Sequence, residues 1–327
     1  MTTVEKPQRD RSLAARILGS SRDRTASSND VRRRIGEAWY TPYLFILPHF
    51  VLFGAIIVYP FLLGIWISLH RSTPLREGPF VGLQNYLTLF NPDSLHFERY
   101  WTTVWNTILF VIMSTPPLVL VGLLLATLLN QRFRGRNIFR GIYFAPWTLS
   151  VAVVGLAWWW MFSGRGGFVT QFLEATIGWS PAWLTTTPWA WISILIATLW
   201  WTIGFNTIVL LAGMQGISFD LYEAASIDGA NRWQQFRHIT IPNLRPVLLL
   251  VVTLQVIASF QLVGQPQLMT GGGPPPTDTT PVLLHVYNTA FTGRGDLSLA
   301  AAMAMIVAVM MVVVSIINFR LFSSERA

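Results

Sequence analysis

The chain has 327 residues, of which 52% are hydrophobic and only 12% charged, about half the charged share of an ordinary soluble domain. With a mean hydropathy of +0.47, such a chain would be hard to keep dispersed in water, and the absence of cysteine rules out disulfides and thiolate-bound metals. The formal net charge of +8 would suit a nucleic-acid partner, but the charges are sorted along the chain in the way that sorts loops across a membrane.

Residues 1 to 42 hold Lys6, eight arginines and five acids among small polar residues, with almost no apolar periodicity. This predicts a flexible basic tail, either plainly solvated or touching anionic headgroups. The apolar run that follows starts too late and runs too long for a cleaved signal peptide, so it is expected to act as an uncleaved anchor. About 20 helical residues cross the hydrocarbon, and six runs of that kind are expected to span, at about 43–69, 104–129, 141–162, 189–213, 246–263 and 299–321. Every charged residue lies outside these runs or in an end turn, as it must where a mid-bilayer charge costs at least ~2.5 kcal/mol. The 15 tryptophans and 21 phenylalanines suit a protein with two membrane interfaces. Alternate sides of this topology carry 18 and 5 basic residues, so the positive-inside rule predicts both termini in the cytoplasm, with 43–327 as the membrane domain.

Between the first two runs, Leu83, Tyr86, Leu87 and Phe90 recur at helical spacing and predict an interfacial helix, with Trp101 and Trp105 marking the boundary. The stretch 163–188, with Gly164, Gly166, Gly167, Trp179 and Trp183, predicts a short structured loop. Residues 219–242 are too polar to cross and too periodic for a linker. Leu221, Tyr222, Ala224, Ala225 and Ala230, with Glu223 and Asp228, predict a short helix with a small-residue face that stops near Gly229. A second short helix with Trp233, Phe236, Ile239 and Ile241 on its apolar side is expected to follow at an angle, ahead of Pro242 and Pro246. The pair reads as a docking element for another protein. Farther on, Gly271, Gly272 and Gly273 lead into Pro274, Pro275 and Pro276, predicting an ordered turn or hinge on the outer face.

Glu223-Ala224-Ala225, Gly229, Ile239 and Ile241-Pro242 stand at the spacing of the EAA signature of permease subunits from binding-protein-dependent ABC importers, which the chain resembles over roughly residues 40 to 325. The departure is Ile241 where leucine is usual, a volume-conserving change. Leu268 to Pro274, then Thr279, Leu283, Tyr287 and Ala290-Phe291, look like the outer loop of the MalF-like subunit of carbohydrate importers, in its six-helix form. The resemblance implies an all-α, six-helix type I ABC importer (MetI-like/MalF-like) permease fold in a bacterial or archaeal cytoplasmic membrane. It also implies that Glu223, Ala224, Ala225, Asp228, Gly229, Ile239 and Pro242 couple the chain to an ATPase. The implied partners are a second, MalG-like permease forming a heterodimer, two ATPase subunits that use ATP and Mg, and an extracytoplasmic binding protein or lipoprotein that delivers a di- or oligosaccharide. Surrounding lipid completes the set, and neither nucleic acid nor a cofactor of the chain's own is expected.

For the cargo path, uncharged polar and aromatic groups inside the spans are the candidates, since sugars need hydrogen-bond partners and flat apolar faces. Thr202 and Asn206 lie one turn apart, as do Gln255 and Ser259, with Trp201, Phe260 and Trp200 as stacking surfaces. The competing reading is that these polar groups bond helices together and the tryptophans pack at the interface.

Catalysis is not expected: the sequence holds no Walker-type phosphate loop and no paired histidine motif, and Lys6 is its one lysine. His49 and His70 fall in or at the first span, while His96, His238 and His285 scatter through expected loops. The rival from another class is a stand-alone secondary transporter, which commonly carries intramembrane carboxylates; the predicted spans have none. Within the importer class, glycerol phosphate, a polyol or another solute is the alternative cargo.

Overall fold

The computed structural model describes residues 40–72, 78–131, 133–273, 279–293 and 295–323. The predicted tail, but for its last three residues, and Pro274, Pro275 and Pro276 therefore lie outside the described residues. The chain divides into two units, residues 1–62 and 63–327.

The described part of the first unit is the leading portion of helix α1 (Thr41–Ser68). Its apolar residues show almost no sidedness, and none of its side chains through Leu62 is buried in the chain, as suits a helix that meets lipid or another subunit. The helix widens into a π-helical turn at Gly54–Val58, just ahead of Pro60. Proline has no N–H and its ring presses on the carbonyl four residues back, and a widened turn relieves both problems.

In the second unit, α2 (Gln84–Phe90) lies where the sequence predicts an interfacial helix. Next comes α3 (Leu95–Asn130), which begins nine residues before the expected span. At 1.5 Å per residue its 36 residues reach about 54 Å, well beyond the hydrocarbon. The leading turns carry His96, Glu98 and Arg99, which a helix tolerates and a bilayer does not. Ser94 caps this start by accepting from the His96 amide at 3.2 Å.

The third predicted span, 141–162, is not one straight helix. It is α4 (Arg136–Phe144) with a 3-10 turn at Ala145–Thr148, then α5 (Val151–Phe162), the two halves meeting at 97°. Pro146 lies in the turn, Leu149 and Ser150 are extended, and the Ser150 hydroxyl starts the new helix by accepting from Val153 N at 3.4 Å. Uniform apolarity hid this break from a search for apolar runs. The structured loop that follows contains α6 (Phe168–Ile177).

The fourth span is α7 (Trp189–Gln215), and α8 (Phe219–Ile227) is the predicted coupling helix. The fifth span differs from expectation: the amphipathic stretch after Gly229 is not a separate short helix. It continues through a π-helical turn at Phe236–Thr240 into the span, giving α9 (Arg232–Phe260), with Pro242 again two residues past the widened turn. The helix also ends three residues before the expected 263. After a π-helical turn at Pro266–Thr270 come α10 (Val282–Phe291), where a loop was expected, and α11 (Leu297–Ser323).

The interior holds polar side chains among its apolar clusters, and the surface is apolar. Ser68, Thr103, Thr107, Ser114, Ser193, Asn206, Thr207, Gln255 and Ser259 are buried, while leucines, isoleucines and phenylalanines of the spans are exposed. That arrangement suits a chain dissolved in lipid, where polar groups must find partners inside and no hydrophobic effect separates lipid from leucine. Small residues let the helices approach closely. A side chain at Gly204 of α7 would overlap the Tyr143 carbonyl of α4, and one at Gly213 would lie 2.8 Å from Leu244 and Val247 of α9.

Candidate functional site: a polar cavity at two helix breaks

Thr198, Thr202 and Asn206 follow one another at four-residue spacing on α7, as Gln255 and Ser259 do on α9, so each set stands on one face of its helix. The faces meet. Asn206 Nδ2 donates to Gln255 Oε1 at 3.2 Å, Gln255 Nε2 donates to Ser259 Oγ at 3.2 Å, and Ser259 Oγ shares a hydrogen bond of 3.0 Å with Ser114 Oγ of α3. Three spanning helices are thus joined by one run of uncharged side chains, each at least 90% buried.

Above this run lies a cavity of about 390 Å³, within the range of small-molecule sites. Its walls take Thr198, Trp201 and Thr202 from α7, Gln255 and Ser259 from α9, Phe110 from α3, and Trp147 and Val151 from either side of the broken third span. The linker Gln261–Gln265 after α9 closes it. The cavity is therefore built where two helices are interrupted. Trp201 Nε1 donates to the carbonyl of Leu149 in the first break, at 3.2 Å, and a side chain at Gly264 in the second would overlap Val151. Irregular backbone at membrane depth is tolerated where it lines a cavity or is buried in protein. Among the described residues, no Asp, Glu, Lys, Arg or His lines the walls. Trp147 and Ala258 on the rim are exposed in the single chain.

Of the predicted path residues, Trp201, Thr202, Gln255 and Ser259 line this cavity, and Asn206 stands behind Gln255. The Thr202 hydroxyl donates to Thr198 O at 2.8 Å, leaving its lone pairs toward other donors. Phe260 does not belong: it is buried with Tyr100, Val104 and Leu299 in the core that joins α2, α3, α10 and α11. One residue past Ser259, it points to the other side of α9. Trp200 is directed toward Trp158 instead, at 5.8 Å. Sequence reasoning missed Phe110, Ser114, Trp147, Gln261 and Gln265. The one available signal was the pair Gln261 and Gln265 beside the end of an apolar run.

At the other end of α7, α8 is capped by Ser218, which accepts from Asp220 N at 3.3 Å. It stops where Gly229 turns left-handed (φ 81°) and Ala230 N bonds back to Ala225 O at 2.9 Å, a helix end that favours glycine. Asn231 and Gln234 form a reciprocal capping box that begins α9. Gln235 Nε2 donates to Ser226 Oγ at 2.8 Å and to Ala230 O at 3.1 Å, and Tyr222 OH meets Thr240 Oγ1 at 2.9 Å, so α8 is fastened to α9. Glu223, Ala224, Asp228, Gly229 and Pro242 remain exposed, while Ala225 and Ile239 are half-buried beside a cleft of about 300 Å³. Phe219 and Ile227, 72% and 82% exposed, leave α8 with apolar surface uncovered.

The glycine motif at Gly271, Gly272 and Gly273 is an ordered turn with φ of 64°, 93° and 116°. Only glycine fits the last position, where a Cβ would lie 2.5 Å from Thr279 N. The Thr280 hydroxyl donates to Gly272 O, Thr270 and Thr279 share a hydrogen bond of 3.0 Å, and Thr107 Oγ1 accepts from Val282 N at 2.9 Å, anchoring the start of α10 to α3.

Described residues that are nearly all helical, with several helices long and apolar enough to cross a bilayer and an uncharged cavity between them, make a multi-pass membrane protein with room for a solute. The chain belongs to the family of binding-protein-dependent transport system inner membrane components, whose pattern matches residues 118–324. It is 35% identical over 286 residues to the trehalose/maltose transport system permease protein MalF of Thermococcus litoralis, covering 87% of this chain and 94% of that one. It is 32% identical over 281 residues to the lactose transport system permease protein LacF of Rhizobium radiobacter, covering 85% and 92%. The sn-glycerol-3-phosphate transport system permease protein UgpA of Shigella flexneri is 32% identical over 298 residues, covering 90% and 97%. The fold matches a chain of a bacterial ABC transporter involved in import of the acidic polysaccharide alginate, with a TM-score of 0.73 at 22% identity over 91% of this chain and 99% of that one. A second structure, of the alginate ABC transporter in complex with an alginate pentasaccharide-bound periplasmic protein, matches with a TM-score of 0.72 at 22% identity over 89% and 94%.

Proposed function

We propose that this chain forms half of the translocation path of an ATP-driven importer for a neutral carbohydrate. The cavity that joins Thr202, Gln255 and Ser259 to the aromatic faces of Trp147 and Trp201 carries that reading. Sugars present hydroxyl groups around an apolar ring face, and a wall of uncharged donors and acceptors beside flat aromatic surfaces complements both. Relatives named for trehalose/maltose and for lactose support a di- or oligosaccharide. The relative named for sn-glycerol-3-phosphate suggests an anionic cargo, but a buried anion needs a cationic partner and, among the described residues, no Lys, Arg or His lines this cavity.

A second, MalG-like subunit is the natural cover for the exposed rim at Trp147 and Ala258. Glu223, Ala224, Ala225, Asp228 and Gly229, with Ile239 and Pro242 behind them, form the docking surface for one of two ATPase subunits, which supply ATP and Mg chemistry. The rigid tie between α8 and α9 lets movement at the ATPase reach Gln255 and Ser259 along one helix. An extracytoplasmic binding protein delivers cargo at the opposite end, and the arginines in the sequence between α3 and α4 support cytoplasmic termini by the positive-inside rule.

The test is uptake of a labelled sugar panel by vesicles carrying the complete complex, with and without ATP. ATP-dependent uptake of a neutral sugar that collapses in Gln255→Leu supports the reading. Uptake of an anionic solute alone, or uptake without an ATPase partner, overturns it.

A further inference from the structure

A second cavity, of about 580 Å³, lies beyond the first at the end of α7 that starts with Trp189. Its walls are Trp159 and Phe162 of α5, Trp183 and Thr185 of the segment before α7, and Gln267 of the π-helical turn after α9. The two cavities share one partition: residues 261–265 line the inner one and residues 267–271 the outer one. Like the first, the outer wall combines broad aromatic surfaces with hydroxyl and amide groups and, among the described residues, includes no Asp, Glu, Lys, Arg or His. One wall group is unsatisfied. Trp183 is 6% exposed, held against Phe162 and Trp189 with ring centroids 5.0 and 5.4 Å away, and its indole Nε1 is buried without a hydrogen-bond partner. A buried donor left unpaired is costly; this nitrogen is covered by its neighbours, so Trp183 offers the cavity its ring and not its N–H.

We propose that the outer cavity is a second binding site for a neutral saccharide, a station that cargo occupies before the segment 261–271 moves to admit it to the inner cavity. The inference rests on the carbohydrate reading above. The size is that of a small-molecule site, the uncharged wall selects a neutral ligand, and indole faces beside a hydroxyl-bearing rim match the two chemistries of a pyranose ring. A protein loop, the other class of occupant, brings backbone groups that demand several partners at once, which a mostly aromatic wall does not supply.

Because the chain has no cysteine, a single cysteine reports its position without background on this subunit. Thr185 and Ala182 both line the cavity and are exposed. In the complete complex in nanodiscs, labelling of Thr185→Cys and of Ala182→Cys by a methanethiosulfonate reagent is followed on this chain. The assay is run without nucleotide, with and without the sugar that the uptake panel identifies, and in a separate arm with the binding protein but no sugar. Saturating sugar is expected to slow both reactions at least tenfold, and to do so equally in a Gln255→Leu background. Adding Trp159→Ala, which removes an exposed indole face from the wall, is expected to raise the half-protecting concentration by about fivefold. Unchanged labelling in a complex that still transports the sugar overturns the outer site and leaves the carbohydrate reading standing. Protection that vanishes with Gln255→Leu assigns the effect to the inner cavity, and protection by the binding protein without sugar assigns the space to a protein loop; either overturns the proposal. If the panel contains no transported saccharide, the carbohydrate reading fails and the outer site fails with it.

Discussion

Asn206 Nδ2 lies 3.2 Å from Gln255 Oε1, joining α7 to α9 across 49 residues of sequence, and both side chains are buried. Replacing Gln255 by leucine strands the Asn206 amide and frees Ser259, at an expected cost of ~1–3 kcal/mol. Replacing both Asn206 and Gln255 by leucine removes both unsatisfied partners and is expected to recover most of that loss, while transport stays at least tenfold down in both variants. Thermal unfolding of the purified complex alongside sugar uptake checks this; full recovery of uptake in the double variant would mean that the pair only holds helices together.

Gly229 stands at φ 81° with open space around it, so a substitution there acts through the backbone alone. Gly229→Ala is expected to destabilise the end of α8 by ~1 kcal/mol and to lower ATP-driven uptake with little change in the amount of chain in the membrane. Glu223→Ala, at an exposed position, is expected to spare the fold and cut sugar-stimulated ATP hydrolysis severalfold. ATPase assays on reconstituted complexes decide the point, and unaltered stimulation in both variants would remove α8 from the coupling surface.

Gly204 faces the Tyr143 carbonyl so closely that a methyl group has no room. Gly204→Ala is expected to force α4 from α7 and to cost ~1–3 kcal/mol, seen as a lower melting temperature in detergent. Gly135, where nothing lies within 4 Å, is the contrasting site: Gly135→Asn, which tolerates its left-handed backbone (φ 87°) better than other side chains, is expected to change melting little.

His285 predicts a pH dependence. It is buried in α10, outside the spanning helices, and burial, then Arg99, then His96, lower its pKa to about 4. Its Nε2 has no hydrogen-bond partner. The unfolded chain binds this proton near pH 6.5, so stability is complete above about pH 6.5 and is lost as the pH falls toward about 4. The difference in melting temperature between wild type and His285→Gln is expected to shift in the variant's favour between pH 7 and pH 4.5. A constant difference would show that His285 is not held neutral.

The spans were legible because a bilayer imposes one simple demand, a long charge-free run, that composition alone reports. The short helix α8 and its stop at Gly229 were legible too, because a small-residue helical stretch ending in glycine is a local pattern. The break at Leu149–Ser150 was not, since an apolar scan reads Gly141 to Phe162 as unbroken; Pro146 and Ser150, a proline followed by a cap, were its only marks. Nor was the continuity of α9. A polar amphipathic stretch followed by two prolines reads as separate from the span, and the widened turn at Phe236–Thr240 is what lets the helix pass Pro242.

Hydropathy therefore determined that this chain is a helical membrane protein, and the resemblance carried by the spacing of Glu223, Gly229 and Pro242 pointed to its importer family, because each depends on neighbours in sequence. Which polar side chains share one cavity was decided only by tertiary structure. Thr202, Gln255, Ser259, Trp147 and Gln265 come from separated segments, and Phe260, beside Ser259 in sequence, turns into a different core. Their meeting depends on the angle of the broken third span and on the close approach that Gly204 and Gly264 allow, and neither is encoded in the polarity of any single stretch.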